Sequence, residues 1–310
     1  MEQKPICWVL AGPTASGKTA LSIRLAKEHN CEIICMDSMQ IYRGMTIGTA
    51  KPTPEEMDGI PHHMVDVADP GEAFSVANYQ EMAERAMADI IARGKQPLLV
   101  GGTGLYLRAL RHPMAMGMVT GDDKIRETLE SEAKQTDGRY KLHKRLFEVD
   151  PETANRLHVN DVRRVVRALE VYQLTGVPFS KQPQVEAEPP YQYRVASLTM
   201  DRAILYQRIE KRVDMMLEDG LVDEVRNLLE SGVPADAQAL KGLGYKEFIP
   251  YLKGECSLED AVYELKLGTR HYAKRQLTWM RREEDVKWVE ALADDAYQEI
   301  EDWFTQGEEA

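Results

Sequence analysis

A glycine-rich segment near the amino terminus has the spacing of a phosphate-binding loop. Residues 12–19 follow the pattern G-x-x-x-x-G-K-T. In such a loop the glycines let backbone N–H groups turn toward phosphate oxygens, and the following helix directs the positive end of its dipole at them. Lys18 would add a positive charge, and the Thr19 hydroxyl is a ligand for Mg²⁺. The residues predicted to bind a phosphate or diphosphate are Gly12, Pro13, Thr14, Ala15, Ser16, Gly17, Lys18 and Thr19.

Asp37 is the acidic residue best placed for chemistry beside this loop. It follows the apolar run 32–36, and ligands of parallel sheets bind beyond the carboxyl ends of the strands. A later strand-like run ends in the glycine-rich residues 101–104, where related nucleoside triphosphatases usually carry a Mg²⁺-binding aspartate. Three roles stay open for Asp37: metal ligand, general base, and cap of the next turn.

Three further side chains could act on a diphosphate. Thr103 precedes the helix-like residues 104–110, so its hydroxyl could cap that helix or donate a hydrogen bond to a leaving-group oxygen. Arg208 and Arg212 lie four residues apart in a predicted helix and share one face of it. Two guanidinium groups suit a clamp on diphosphate, and the alternative is a pair of surface arginines.

Alternating strand and helix patterns predict how these groups are positioned. Apolar runs at 6–10 and 32–36 flank a helical pattern and so predict a β-α-β unit. Ser75 is a predicted N-cap for a helix that ends at Gly94, and the strand-like run 98–100 follows it. Strands separated by helices indicate a parallel sheet.

The pattern changes from about residue 113, where helical segments at 124–135, 140–149 and 162–174 follow one another without a strand. A proline-rich connector then leads to one more strand-like run, 195–200, and the remainder is predicted to be helical. We therefore expect a P-loop NTPase-like α/β core with a parallel sheet flanked by helices, formed by residues 1–112 and 195–310. Residues 113–194 would be an α-helical insertion domain.

Composition excludes several classes of protein. A chain of 310 residues, 43% of them hydrophobic, buries a core too large for a small disulfide scaffold. The net charge of −12 argues against nonspecific binding of nucleic acid, yet residues 266–282 contain six Lys or Arg and no acid, which indicates a local RNA-binding element. No apolar run is long enough to span a membrane, and the four cysteines lack a zinc spacing. A cytoplasmic protein with no membrane partner is expected.

Longer motifs resemble one family. The chain contains DSMQIYRGMTIGTAKP (37–52), PHHMVDVADP (61–70), VGGTGLYLRAL (100–110), HVNDVRRVVRALEVY (158–172), KGLGYKEF (241–248) and TRHYAKRQLTWMRR (269–282). With the loop at 12–19, these motifs are similar to those of the bacterial tRNA dimethylallyltransferases, or tRNA isopentenyltransferases, in the same order. The family often has proline where Val159 stands and glutamine where His271 stands.

The resemblance implies a substrate and a reaction. Dimethylallyl diphosphate, rather than ATP, would bind the phosphate loop. Its five-carbon group would pass to the exocyclic N6 amine of the tRNA adenosine immediately 3′ of the anticodon, with release of diphosphate. Asp37 would be the base, and Thr103 and Arg212 would hold the departing diphosphate. Apart from the resemblance, the loop chemistry predicts Mg²⁺ as the cofactor, bound at Thr19, and Arg208 beside the diphosphate.

The resemblance also implies that the insertion grips the anticodon stem-loop of tRNA and that several other segments touch it. A monomer is expected. The implied tRNA contacts are Asp37, Ser38, Met39, Gln40, Thr103, Arg126, Arg163, Arg164, Val165, Val166, Arg167, Lys241, Gly242, Leu243, Gly244, Tyr245, Lys246, Lys274, Arg275, Gln276, Leu277, Thr278, Trp279, Met280 and Arg281.

Two alternatives remain at this stage. A P-loop kinase for a nucleoside or another small molecule would use Asp37 to activate a hydroxyl, with Arg208 and Arg212 in a lid over ATP. A noncatalytic RNA-binding module would use the basic residues alone. The glycine-rich end of the 98–100 run and the basic segment argue against the kinase, and the phosphate loop argues against the module.

Overall fold

The chain divides into two compact units in the computed structural model, which describes residues 4–112, 121–182 and 188–306. One unit comprises residues 1–111 and 189–310, and the other comprises residues 112–188. The last predicted boundary was at 194. Residues 189–194 group with the first unit because its next strand already begins at Gln192.

A six-stranded sheet forms the centre of the first unit. The strands are β1 (Ile6–Ala11), β2 (Cys31–Met36), β3 (His62–His63), β4 (Gln96–Gly101), β5 (Gln192–Thr199) and β6 (Val286–Glu290). Their order is β3-β2-β4-β1-β5-β6, and every neighbouring pair is parallel. The predicted parallel sheet is confirmed.

Helices account for most of the remaining described residues. In chain order they are α1 (Lys18–Glu28), α2 (Pro54–Met57), α3 (Val76–Ala92), α4 (Gly104–Arg111), α5 (Asp123–Lys134), α6 (Gly138–Val149), α7 (Pro151–Arg156), α8 (Val162–Thr175), α9 (Arg202–Glu218), α10 (Leu221–Glu230), α11 (Phe248–Leu252), α12 (Leu258–Met280) and α13 (Ala296–Thr305). Short 3₁₀ turns occupy 179–181 and 239–241. Ser75 caps α3 through a capping box, as the sequence predicts.

One predicted element was wrong. Residues 286–290 were assigned to a helical carboxyl-terminal region, but they form β6 at the edge of the sheet. This five-residue strand pairs with β5 and buries Val289 against the sheet face that α13 covers. A run this short carries little periodic signal, so its partner strand decides its structure.

Side chains of the central strands are buried on both faces of the sheet, as expected where helices cover a parallel sheet. Val9 and Leu99 belong to one apolar layer, whereas Trp8, Leu10 and Leu98 belong to the other. The helical unit has a core of its own. It is built from Leu129, Ala133, Leu142, Leu146, Ala154, Val165, Val166, Ala168 and Leu169.

Within the described residues, none of the helices combines the length and the apolar character that crossing a membrane requires.

Candidate active site at the carboxyl ends of the strands

The phosphate loop joins β1 to α1 and depends on its two glycines. Gly12 has φ +146° and Gly17 has φ +94°, which are backbone conformations that side chains disfavour. A Cβ on Gly12 would also lie only 3.0 Å from Cβ of Leu198. Gly17 is the residue before α1, so the free N–H groups of the first helical turn face the loop.

Contacts from distant parts of the chain fix the shape of this loop. The backbone N–H of Thr14 donates to Oε1 of Gln276 on α12 at 2.9 Å. Nε of Arg208 on α9 donates to the carbonyl of Ala15 at 2.8 Å. Inside the loop, Oγ of Ser16 donates to the carbonyl of Pro13 at 2.8 Å. The loop is therefore preorganised before any ligand binds.

Lys18 lies in an environment that penalises its positive charge. Its Nζ donates to the carbonyls of Gly12 (3.0 Å) and Pro13 (2.7 Å). Burial, reinforced by the nearby charge of Arg212, lowers the pKa of Lys18 to about 8, although Asp37 acts in the opposite direction. An anion bound in the loop would restore the stability of the ammonium form.

Asp37 follows β2 and closes the turn after it. Its Oδ1 accepts hydrogen bonds from the backbone N–H of Met39 at 2.8 Å and of Gln40 at 3.4 Å. The capping role left open by the sequence is therefore present. The Asp37 carboxylate has a second possible role besides capping, because this half-buried residue also lines the cavity that Lys18 and Arg212 line.

One cavity of about 500 Å³ brings most of the predicted catalytic and diphosphate-binding residues together. Loop residues 14–19, Asp37, Arg208 and Arg212 line it. Burial lowers the pKa of Arg212, and the charge of Asp37 offsets part of that effect. The apolar side chains in the lining are Ile33, Cys35, Ala50, Pro52, Val100 and Met215.

Thr103 connects this region to the end of β4. Its carbonyl accepts from the N–H of Tyr106 at 2.9 Å, so it stands at the start of α4. Its hydroxyl, however, accepts from the N–H of Ser38 at 3.2 Å. Its hydrogen is directed at Tyr272, with which the Thr103 side chain forms a hydrogen bond. Nearby, burial raises the pKa of Tyr272, and hydrogen bonds with Thr103 and Gln276 oppose the rise.

The predicted tRNA contacts differ widely in exposure. The exposed ones are Arg163, Arg164, Lys241, Lys246, Lys274, Arg275, Thr278 and Arg281, and the half-buried ones include Ser38, Met39, Arg126, Arg167, Gly242, Leu243, Leu277 and Trp279. The buried ones are Val165, Val166, Gly244, Tyr245, Gln276 and Met280. Val165 and Val166 lie in the helical core and their side chains pack internally, and the tRNA contact assigned to them stays a prediction.

Gln40 is also occupied by the protein. Its Nε2 donates to the carbonyls of Thr49 and Ala50, both at 3.1 Å, and its Oε1 accepts from the thiol of Cys35 at 3.2 Å. Gln40 therefore holds the 37–52 segment in place beside the cavity.

Acidic side chains neutralise several of the predicted RNA-binding cations. Arg126 and Arg167 both contact the fully buried carboxylate of Glu170, at 2.9 and 2.8 Å. On α12, Lys266 pairs with Asp214 at 2.6 Å and Arg270 pairs with Glu210 at 2.8 Å. The amino-terminal half of the basic run is thus matched by acids of α9.

The other half of the basic run faces an open cavity of about 420 Å³. Its lining residues are His271, Lys274, Arg275, Thr278, Trp279 and Arg282. Cations interleaved with an aromatic ring and hydroxyl groups are typical of surfaces that contact RNA phosphates and bases.

Sequence reasoning missed Glu224 on α10. Its carboxylate accepts from the backbone N–H groups of Thr46 (2.9 Å), Ile47 (2.8 Å) and Gly48 (3.0 Å). It also accepts from the hydroxyl of Tyr245 at 2.7 Å. No local pattern in the sequence signals this contact, and the structure shows why Gly48 is a glycine: a Cβ there would lie 2.6 Å from the Tyr245 ring.

The oxygen donors at the first cavity fit Mg²⁺. The Thr19 hydroxyl and the Asp37 carboxylate line it, and Mg²⁺ is commonly bound by one or two protein oxygens together with substrate phosphates. Among the described residues, the group of three possible ligands with metal-like spacing is Glu28, His29 and Glu301. That group stands at the opposite end of α1 from the loop.

A phosphate loop facing a carboxylate and an arginine across one cavity, above a parallel sheet, is typical of P-loop enzymes that act on a phosphorylated substrate. Comparisons with known proteins identify the family. Residues 40–283 match the family model for IPP transferase, and residues 5–69 match that for isopentenyl transferase.

The relatives agree. The tRNA dimethylallyltransferase of Desulforudis audaxviator is 49% identical over 94% of this chain and 93% of its own. The tRNA dimethylallyltransferase of Shouchella clausii is 47% identical over 98% of this chain and 96% of its own. The full-length tRNA isopentenylpyrophosphate transferase of Bacillus halodurans has a TM-score of 0.72 at 44% identity, covering 98% of this chain and 95% of that one.

A eukaryotic dimethylallyltransferase acting on tRNA superimposes with a TM-score of 0.75 at 32% identity, over 98% of this chain and 77% of that one. The chain therefore belongs to the tRNA dimethylallyltransferase family. The P-loop NTPase-like fold predicted from the sequence is confirmed, and the kinase alternative is set aside.

Proposed function

We propose that this enzyme transfers the dimethylallyl group of dimethylallyl diphosphate to the N6 amine of the tRNA adenosine immediately 3′ of the anticodon. The observation that carries the proposal is one shared cavity. The phosphate loop, Asp37 and Arg212 all line it, so a diphosphate and an attacking amine can be held side by side.

The reaction exchanges one bond of the allylic carbon for another. The bond from that carbon to a diphosphate oxygen breaks, and a bond from the adenine nitrogen to the same carbon forms. Negative charge grows on the diphosphate during this exchange. Loop N–H groups, Lys18 and Arg212 surround the place where that charge would develop, which is where preorganised charge lowers a barrier most.

Asp37 takes the proton that the amine loses. An exocyclic adenine amine is a weak nucleophile because its lone pair is delocalised into the ring. A carboxylate within reach keeps the nitrogen neutral as the new bond forms. Because Oδ1 of Asp37 is held by two backbone N–H groups, the carboxylate has a fixed orientation for this transfer.

The two arginines have different roles in this proposal. Arg208 is exposed and its Nε is committed to the Ala15 carbonyl, so it holds the loop. Arg212 is half-buried and lies within the field of Asp37, so it contacts the departing diphosphate together with the Thr103 hydroxyl. The apolar lining by Ile33, Val100 and Met215 suits the five-carbon group and disfavours water near the allylic carbon.

Mg²⁺ would be held by Thr19 and diphosphate oxygens, with Asp37 near it, and when bound it neutralises charge on the diphosphate. The tRNA would approach along the exposed cations of α12, including Lys274 and Arg275, with the helical unit contributing Arg163 and Arg164. We propose that the enzyme acts as a monomer in the cytoplasm.

The test is a product analysis. The protein is incubated with Mg²⁺ and unmodified tRNA, and with either dimethylallyl diphosphate or ATP, before the tRNA is digested to nucleosides and weighed. We expect one adenosine to gain the mass of a five-carbon prenyl group with the first substrate only. A phosphate gained from ATP, or an unmodified tRNA in both reactions, would refute the proposal.

A further inference from the structure

The helix that carries the exposed cations reaches the phosphate loop through the side chain of Gln276. This residue is 5% exposed, and its Oε1 accepts the hydrogen bond from the N–H of Thr14. Its neighbours Lys274 and Arg275, two positions and one position earlier in α12, are both exposed. A single helical turn therefore presents cations to solvent and an amide to the loop.

Glycines in the segment after β4 allow this close approach. A Cβ on Gly102 would collide with Nε2 of Gln276, and a Cβ on Gly104 would lie 2.9 Å from Cβ of Trp279. Thr103, between these glycines, is bonded to Ser38 beside Asp37. Because α12 packs directly on this backbone, a displacement of α12 would affect the loop and the Asp37 turn together.

Helix packing alone does not require a glutamine at this position. A buried amide is retained where backbone groups need partners, and the Thr14 N–H has Gln276 as its partner. The same hydrogen bond fixes the direction of the Pro13–Thr14 peptide within the loop. Burial also removes Gln276 from the direct RNA contact that its motif implies.

We infer that Gln276 is a positioning residue that couples RNA binding on α12 to diphosphate binding in the phosphate loop. The inference rests on the proposed function, because it needs both ligands. RNA phosphates on Lys274 and Arg275 would fix α12, and Gln276 would pass that restraint to Thr14. Diphosphate should then bind more tightly when RNA is already bound, and the reverse must hold by linkage.

The experiment measures diphosphate affinity with and without RNA by titration calorimetry. The probes are inorganic diphosphate with Mg²⁺ and an anticodon stem-loop RNA that has an abasic nucleotide at the acceptor position. The abasic site removes direct contact between base and diphosphate. The measured quantity is the ratio of the two dissociation constants, called here the coupling ratio.

Three variants are compared with the wild-type chain. Gln276→Met keeps the length of the side chain and removes both polar groups. Gln276→Glu keeps an oxygen that accepts the hydrogen bond from the Thr14 N–H. Its added negative charge lowers the affinity for diphosphate both with and without RNA, so this effect cancels in the coupling ratio. Gln238→Met is the matched control, since Gln238 also bonds a backbone N–H and carbonyl, those of Phe74, far along the chain from the loop.

We expect a coupling ratio of about five or more in the wild type and in Gln238→Met. The ratio should fall to about one in Gln276→Met and be partly restored in Gln276→Glu. An unchanged ratio in Gln276→Met, with both ligands still bound, overturns the coupling and leaves the proposed function intact. A wild-type chain that binds neither ligand overturns both.

A second measurement uses the wild-type chain alone, in case Gln276→Met does not fold. Hydrogen exchange is followed in peptides covering residues 12–19, with and without the abasic RNA and without diphosphate. We expect the Thr14 amide to exchange about fivefold more slowly when RNA is bound, in line with the coupling ratio. Equal exchange rates in the two conditions would overturn the inference.

Discussion

Two carboxylates at opposite ends of β2 have opposite surroundings. Glu32, near the start of the strand, is 2% exposed and accepts hydrogen bonds from Arg93, from Lys95 at 2.8 Å and from His63 at 2.7 Å. Asp37, just past the end, is half-buried, and its Oδ1 accepts backbone N–H groups of its own turn. Glu32, whose hydrogen-bonding capacity is fully used, and Asp37, which faces a cavity, are only five positions apart in the sequence.

The comparison shows how one strand can serve stability at one end and chemistry at the other. Hydrogen bonds from Arg93 hold the pKa of Glu32 well below its usual range, against the opposing effect of burial. Such a group stays ionised but has no capacity left for a ligand. At the carboxyl end, Lys18 and Arg212 share a cavity with Asp37, so the charges there remain available.

The largest effect should come from Asp37. We expect Asp37→Asn to slow prenyl transfer by about a hundred- to ten-thousandfold, because the amide has the same shape and cannot take a proton. Single-turnover rates and tRNA affinity check this. Asp37 is not the base if the variant turns over at the wild-type rate with saturating substrates.

Next come the groups proposed to hold the departing diphosphate. Arg212→Ala and Thr103→Ala should each slow the chemical step by about a hundredfold, since their contacts strengthen as charge develops. Arg208→Ala is the control on the same helix and should act less on the rate. A larger effect at Arg208 than at Arg212 would reverse the two roles.

At the other end of β2 the effect should be on stability. Glu32→Gln should lower the free energy of unfolding by about 2 kcal/mol, because hydrogen bonds from charged donors to a buried carboxylate are lost, with turnover preserved. The stabilisation by Glu32 should be present above about pH 4.3, the ordinary pKa, and disappear as pH falls further.

Urea unfolding at pH 7 and below pH 4 measures this effect. Asp89→Asn is the matched control, because exposed Asp89 pairs with the same Arg93 at 2.8 Å and surface pairs contribute less than about 1 kcal/mol. Equal losses in the two variants would contradict the contrast between the ends of β2.

A smaller effect is expected from the pH dependence of ligand binding. Because the pKa of Lys18 is lowered to about 8, and a bound diphosphate raises it, binding takes up a proton above that pH. The titration of Lys18 should leave affinity for dimethylallyl diphosphate unchanged below pH 8 and lower it by up to about tenfold per unit above that pH. The control is Lys18→Arg, in which any titration of the ligand itself is retained but the side chain stays charged. Its affinity should not fall above pH 8. An identical fall in the wild type and in Lys18→Arg would exclude Lys18 as the cause.

The smallest effect separates the two halves of the α12 basic run. The slope of log tRNA affinity against log salt concentration measures how many phosphates the protein contacts. Lys274→Ala combined with Arg282→Ala should reduce the steepness of that slope by about one to two. Lys266→Ala combined with Arg270→Ala should leave that slope unchanged, since α9 already neutralises these two cations. Filter binding across a salt series distinguishes the pairs, and equal slopes in both would place the RNA surface elsewhere.

Local geometry explains which features the sequence could predict. The loop at 12–19 and the position of Asp37 after β2 follow from spacing, because the neighbouring residues determine them. The bond from Thr14 to Gln276 joins residues 262 positions apart, and no local pattern signals it. Motif resemblance likewise could not separate exposed Arg163 from buried Val165, because both belong to one recurring segment.

The position of β1 in the sheet has a consequence for synthesis of the chain. β1 pairs with β4 on one side and with β5 on the other, and residues 112–188 lie between those partners in sequence. The helical unit has all of its core residues once position 188 has been made. One edge of β1, however, keeps its unpaired N–H and C=O groups until Thr199 has left the ribosome. During that interval the partly synthesised chain carries an open strand edge, which exposes it to aggregation.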